Sequence, residues 1–170
     1  ELPLLLCTPT WRANRSRVAG SKVSQTINTD AAAFMKDLRD SRSASPANVR
    51  IGGLLACKND CYRPDEGLSA AEAEKFHRWQ IDQLAHGGVD FLLAETLPNV
   101  QEALGMARAM ESGDLPYIIS FVVDRNGLVL DGTDPQAAVK LIDSATQHRP
   151  LGYMVNCAYP SFLCAAGQPA

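Results

Sequence analysis

The chain has 170 residues, a net charge of -3, 46% hydrophobic residues and 21% charged ones. That length supports one domain with a sizeable core, and that balance excludes a disordered chain. The charge leaves no basic footprint for nucleic acid or an anionic membrane.

The opening run "LPLLLC" is too short to span a bilayer. It lacks the basic segment before it and the small-residue cleavage site after it that a signal peptide carries. Leu2 to Thr8 is apolar up to Pro9 and predicts the first strand. Asn28 and Thr29 are candidate N-caps for a helix with Ala31, Phe34, Met35 and Leu38 on one face. "SRSASPAN", residues 41 to 48, predicts a surface loop. Val49 to Ala56 predicts the second strand, in which Gly52 and Gly53 suit close packing better than phosphate binding.

Ser69 and Glu72 form a capping-box pattern. The helix they open turns Ala73, Phe76, Ile81 and Leu84 inward and stops at Gly87-Gly88. Val89 to Ala94 predicts the third strand. Pro98 suits the first turn of a helix bearing Val100, Ala103, Ala107 and Met110. Tyr117 to Val123 predicts the fourth strand. Asp134-Pro135 supplies an N-cap and first-turn proline for a helix with Ala138, Leu141, Ile142 and Ala145 inward. Gly152 to Asn156 predicts the fifth strand, and the tail "LCAAGQPA" departs from a regular helix.

Short apolar strands alternating with amphipathic helices imply an α/β protein with a parallel sheet covered on both faces. An open doubly wound sheet and a (βα)8 TIM-type barrel both satisfy this order. No G-x-G-x-x-G or G-x-x-x-x-G-K-[ST] stretch occurs, so neither nucleotide fingerprint is present. The five cysteines, at positions 7, 57, 61, 157 and 164, include no C-x-x-C pair. They predict free thiols in a cytoplasmic protein rather than a secreted disulfide scaffold.

In either architecture the active site lies at the carboxyl ends of the strands. The residues there include Cys7, Trp11, Arg12, Cys57, Asn59, Asp60, Tyr62, Glu95, Thr96, Ser120, Asp124, Asn156 and Cys157. Each also has a structural account. Glu95 can favour the start of the helix near Pro98, Ser120 can be a core residue with a satisfied hydroxyl, and Cys157 a small apolar packer. The Arg12, Arg15 and Arg17 cluster reads as a solvated face. The three histidines are scattered and match no metal motif.

Four stretches, "CTPTWRANRSRV", "IGGLLACKNDCYRPDEGLSAAEAEKFHRWQIDQLAHGGVDFLLAETLPNVQEALGMARAM", "LPYIISFVVDRNGLVLDGT" and "LGYMVNCAYPS", resemble the homocysteine S-methyltransferase family. The resemblance implies a (βα)8 barrel, here an incomplete one of about five βα units corresponding to strands two to six. On that basis residues 1–170 form a partial homocysteine-binding domain without the family's first strand and last strands. It implies that a zinc-activated homocysteine thiolate accepts a methyl group from a small donor to give methionine. Cys157 matches the first of the family's three zinc-binding cysteines. Glu95 matches the glutamate that holds the homocysteine amino group, and Asn156 and Ser120 lie beside the substrate. The family's Asp-Gly-Gly segment and adjacent cysteine pair are absent from this sequence. A chain of 170 residues is short of the ~250 of a typical barrel. The expectation is a fragment inactive by itself, with open sheet edges that invite self-association. The alternative is a non-catalytic half-barrel with a structural or interaction role.

Overall fold

The structure is a computed structural model that describes residues 3–42 and 45–164. Leu2, the centre of the 41–48 loop and the last six residues of the tail lie outside the described residues. The strands are β1 (Leu4–Cys7), β2 (Val49–Leu55), β3 (Phe91–Leu97), β4 (Tyr117–Phe121) and β5 (Gly152–Val155). The helices are α1 (Arg15–Ala19), α2 (Ile27–Arg42), α3 (Ala70–His86), α4 (Val100–Glu111) and α5 (Pro135–Ala145).

All five strands pair in parallel in the order β1-β2-β3-β4-β5. Each strand therefore lies beside its sequence neighbour, and every crossover runs in one direction. An open doubly wound sheet would reverse its strand order, so the alternative left open by the sequence resolves to a curled half-barrel.

Side chains alternate between the two faces of the sheet. One face sends Ile51, Leu55, Leu92, Ala94, Ile119 and Phe121 against the helices, and all are buried. The other, with Leu5, Leu54, Phe91, Ile118 and Met154, would line the inside of a closed barrel. Along this concave face Leu5 is 57% and Met154 44% exposed. The expectation that both faces would be covered fails here, because the strands that would close the face are not among the described residues.

Local sequence explains most element starts. Ser69 accepts from the Glu72 N–H, and Glu72 returns a bond to the Ser69 N–H, completing the capping box of α3. Asn99 caps α4 by accepting from Glu102 N–H, so Pro98 lies one residue before the cap rather than inside the helix. Asp134 caps α5 through Gln136 and Ala137 N–H. Gly52 admits the Phe91 ring, which would collide with any Cβ at that position.

Four expectations need correction, one of them in α5, where Leu141 is exposed and only Ala138 and Ile142 are buried. Asn28 is not an N-cap: α2 begins at Ile27, and Asn28 is buried within its first turn. There its amide donates to Ala13 O and accepts from Gln80 Nε2. Phe34 and Leu38 point outward, because Asn28, Ala31, Ala32 and Met35 form the buried face of α2. In α3, Phe76 is half-buried, and His77 and Gln80 take the inward positions. Buried polar side chains stand where apolar periodicity expects carbon, because each has a hydrogen-bond partner.

α3 and α4 pack closely at Gly105. A Cβ there would meet Ala70 O and lie 2.6 Å from Ala73 Cβ. Gly105→Ala is expected to destabilise the protein by about 1–3 kcal/mol through overpacking, read as a shifted urea midpoint. An unchanged midpoint would show that the helices can slide apart at little cost.

Candidate active site

The polar rim forms where β3, β4 and β5 end. β3 and β4 pair in register as far as Ala94–Ile119, then resume at Leu97–Phe121. One extra residue is thus inserted in β3 at Glu95-Thr96, a β-bulge. Thr96 adopts φ 61° there, and Cys157 adopts φ 54° at the end of β5. Both are left-handed conformations that cost free energy for a residue with a Cβ, most of all for a β-branched one.

Asn156 holds both in place. Its Oδ1 accepts from the Thr96 N–H (3.1 Å) and the Ser120 hydroxyl (2.8 Å). Its Nδ2 donates to Thr96 Oγ1 (2.6 Å) and lies 3.4 Å from Cys157 Sγ. Its own N–H is bonded to Phe121 O. One amide therefore ties three strand ends together and fixes the two strained residues. Strand alternation from Phe91 through Leu93 puts Glu95, which is half-buried, on the concave side, while the Glu95 carbonyl accepts from the Trp11 indole N–H (3.4 Å).

The β2–α3 loop closes the rim from the other side. It carries Cys57, Cys61 and Tyr62. The Tyr62 side chain, 57% exposed, reaches Cys157 with its hydroxyl. Hydrogen bonding to Cys157, above all, holds that hydroxyl above the usual tyrosine range. Cys57 is buried, and burial pushes its thiol up to about 12, with Glu102 adding to the shift. Burial also raises the Cys61 thiol, with Asp60 as the second cause. Cys7 is raised by burial and then by Glu95. Cys57 and Cys61 are buried and Cys7 half-buried, and all three contribute to packing.

The buried carboxyl group of Glu102 anchors this loop. Oε1 accepts from Lys58 N–H (2.7 Å) and pairs with His77 Nε2 (2.9 Å), and Oε2 accepts from Leu68 N–H (3.2 Å). His77, one of the scattered histidines of the sequence, is structural.

A family profile described as homocysteine S-methyltransferase matches residues 5–167. The chain belongs to the homocysteine S-methyltransferase family. It is 27% identical over 136 residues to the S-methylmethionine–homocysteine S-methyltransferase of Pongo abelii, covering 73% of this chain and 36% of that protein. The homocysteine S-methyltransferase of Bacillus subtilis is 29% identical over 112 residues, 65% of this chain and 35% of that one. The metallated homocysteine methyltransferase MmuM from Escherichia coli superposes with a TM-score of 0.73 at 23% identity. That superposition covers 90% of this chain and 57% of the solved one. The chain thus spans a little over a third of the length of these curated relatives. The half-barrel is the shared fold.

Of the residues expected at a family site, Ser120, Asn156 and Cys157 adjoin one another. Glu95 neighbours this group through Thr96. Ser120 is fully buried, on the same sheet face as Ile118 and Met154, and its hydroxyl donates to Asn156 Oδ1. The Asn156 amide is likewise committed to protein partners. Cys157 is exposed, as is Cys164 further along. Zinc needs three or four ligands. Among the described residues no group of three or more His, Cys, Asp or Glu side chains is placed to hold a metal. The donors present do not fit a zinc ion by themselves.

The sequence places Thr96 and Tyr62 at the rim without a role for either, and it does not point to the Glu102–His77 pair. Nothing local marks a threonine for a left-handed turn. The arginine cluster also divides: Arg15 and Arg17 are exposed, but Arg12 is half-buried and donates to Asn59 O (2.6 Å). No helix among the described residues is long and apolar enough to cross a membrane.

Proposed function

We propose that this chain forms part of a homocysteine S-methyltransferase barrel, strands two to six, and contributes one wall of its homocysteine site. The observation that carries the reading is the rim held by Asn156, with the half-buried carboxyl of Glu95 on one side and the exposed thiol of Cys157 on the other. A carboxylate at Glu95 would hold the substrate ammonium through charge-assisted hydrogen bonds. Asn156 positions both neighbours, and Ser120 holds Asn156. In the reaction the homocysteine thiol gives up its proton to solvent, and the thiolate sulfur attacks the methyl carbon of a sulfonium or quaternary ammonium donor. The new C–S bond forms as the old methyl bond breaks, its electron pair leaves with the donor, and the product is methionine. Cys157 is the one zinc donor the family resemblance assigns to this chain, and further donors would have to come from outside the described residues. The same proposal places the protein in the cytoplasm and in methionine formation. It includes self-association through the open edges of β1 and β5.

The lack of a metal-holding group among the described residues favours a second reading, a half-barrel with a structural or interaction role. Homocysteine binding separates the two. Trp11 lies against the Glu95 carbonyl and reports on the site; Trp79→Phe removes the other tryptophan. Homocysteine is expected to change Trp11 fluorescence, and Glu95→Gln to weaken its binding about 10- to 100-fold. Absence of binding to the Trp79→Phe protein, or equal binding after Glu95→Gln, would favour the structural reading.

A further inference from the structure

Backbone groups inside a sheet are normally fixed by the ladder, yet the peptide joining Glu95 to Thr96 is fixed by side chains. Neither residue has a paired position in β2 or β4. The register with β2 ends at Ala94, and that with β4 skips from Ala94 to Leu97. The Glu95 carbonyl accepts from the Trp11 indole N–H (3.4 Å), and the Thr96 N–H donates to Asn156 Oδ1 (3.1 Å). β3 is the central strand, whereas Trp11 follows β1 and Asn156 follows β5. The curl of the half-barrel lets residues beyond both outer strands grip one peptide in the middle of the rim.

Trp11 stands on a fixed base. The preceding residue, Thr10, is buried; its hydroxyl donates to Leu54 O (2.7 Å) and its carbonyl accepts from Gln80 Nε2 (2.7 Å). The indole packs against the core, and the Arg12 guanidinium lies 5.1 Å from its ring centre. Its N–H is therefore aimed before any ligand arrives. On the far side of the gripped peptide Thr96 holds a φ of 61°, which a β-branched residue keeps only where its surroundings over-determine it. Without the indole N–H the peptide loses one of its two restraints and can turn toward a less strained angle. Glu95 is the residue that turn disturbs first, since its own carbonyl is the group released.

On the preceding reading of the site, we infer that Trp11 is a positioning residue for the substrate ammonium: its indole N–H holds the Glu95 carbonyl and, through the backbone, the direction of the Glu95 carboxylate. Trp11 acts through Glu95 alone, so a ligand without an amino group is indifferent to it.

The N–H can be removed without changing the shape of the side chain. In the Trp79→Phe protein Trp11 is the sole tryptophan, and biosynthetic replacement by benzothienylalanine puts sulfur in place of the N–H at that position. Calorimetric titration of the full chain is expected to show homocysteine bound about 3- to 10-fold more weakly. Binding of 4-sulfanylbutanoate, which is homocysteine without its amino group, should be unchanged. Replacement by 5-fluorotryptophan, which keeps the N–H, should restore the affinity. In a Glu95→Gln background the benzothienyl replacement should have no further effect on homocysteine. An equal loss for 4-sulfanylbutanoate, or a full loss persisting in the Glu95→Gln background, would mark a merely structural role and overturn the inference. So would unchanged homocysteine affinity after the replacement while Glu95→Gln weakened it, a result that leaves the family reading standing. Absence of homocysteine binding by the Trp79→Phe protein would overturn both.

Discussion

Replacing Glu102 by alanine is expected to destabilise the protein by about 3–5 kcal/mol. The carboxyl group is 1% exposed and accepts from Lys58 N–H, Leu68 N–H and His77 Nε2. Alanine strands all three donors in a place water reaches poorly. Each buried unsatisfied group costs about 1–3 kcal/mol, and partial relaxation keeps the total below the simple sum. His77 has little room to find another partner, since its Nδ1 already lacks one among the described residues. Glu102→Gln should cost less, because one amide oxygen still accepts, but its NH₂ then faces other donors. Urea unfolding measures the loss, and amide hydrogen exchange locates it: Lys58 and Leu68 should exchange faster than the strands. A Glu102→Ala protein within about 0.5 kcal/mol of the parent would show that the loop is held by packing alone.

The second large effect is expected at Asn156. Asn156→Ala removes both bonds to Thr96 and the bond to Ser120, whose hydroxyl is fully buried. It also frees Thr96 from a φ of 61°, a conformation that persists only where its surroundings over-determine it. The expected loss is about 2–4 kcal/mol. Ser120→Ala alone should cost about 1 kcal/mol. A double-mutant cycle between the two should give a coupling of about 0.5–1.5 kcal/mol, and strict additivity would show that their hydrogen bond contributes nothing measurable. Asn156→Asp keeps the acceptor for Thr96 N–H and Ser120 but loses the donor toward Thr96 Oγ1 and Cys157. Its stability should fall between those of the parent and the alanine variant. If homocysteine affinity falls with Asn156→Asp by more than the stability does, Asn156 positions the site as well as stabilising it.

Most of the fold is legible in the sequence. Five apolar runs separated by capped amphipathic stretches suffice for a parallel α/β chain, since strand length, caps and periodicity are local properties. The boundaries moved by a few residues, most at β3, where the apolar run "VDFLLA" stops at Ala94 but the strand continues through the bulge to Leu97. The candidate residues Glu95, Ser120, Asn156 and Cys157 were legible because strand ends are where a parallel sheet exposes chemistry. Their roles were less legible. Ser120 and Asn156 are both polar residues near a rim, and only their mutual hydrogen bond distinguishes a support from a contact surface.

The sequence by itself determined the order of the five strands and the four longer helices, though not α1, together with the caps of α3 and α5 and the position of a cysteine just after β5. These depend on residues a few places apart, where propensity and hydrogen bonding act without help. Only the tertiary structure decided that the sheet curls with its strands in sequential order, and that Asn28, His77 and Glu102 are buried and paired. It also decided that Thr96 is held in a left-handed turn by an amide 60 residues away, and that Arg12 is set apart from its cluster by a carbonyl 47 residues on. The reason is that burial changes the value of a polar group. In water a glutamate or asparagine is indifferent to its neighbours, but in a packed interior it must meet partners drawn from several strands, and only the folded chain specifies which they are.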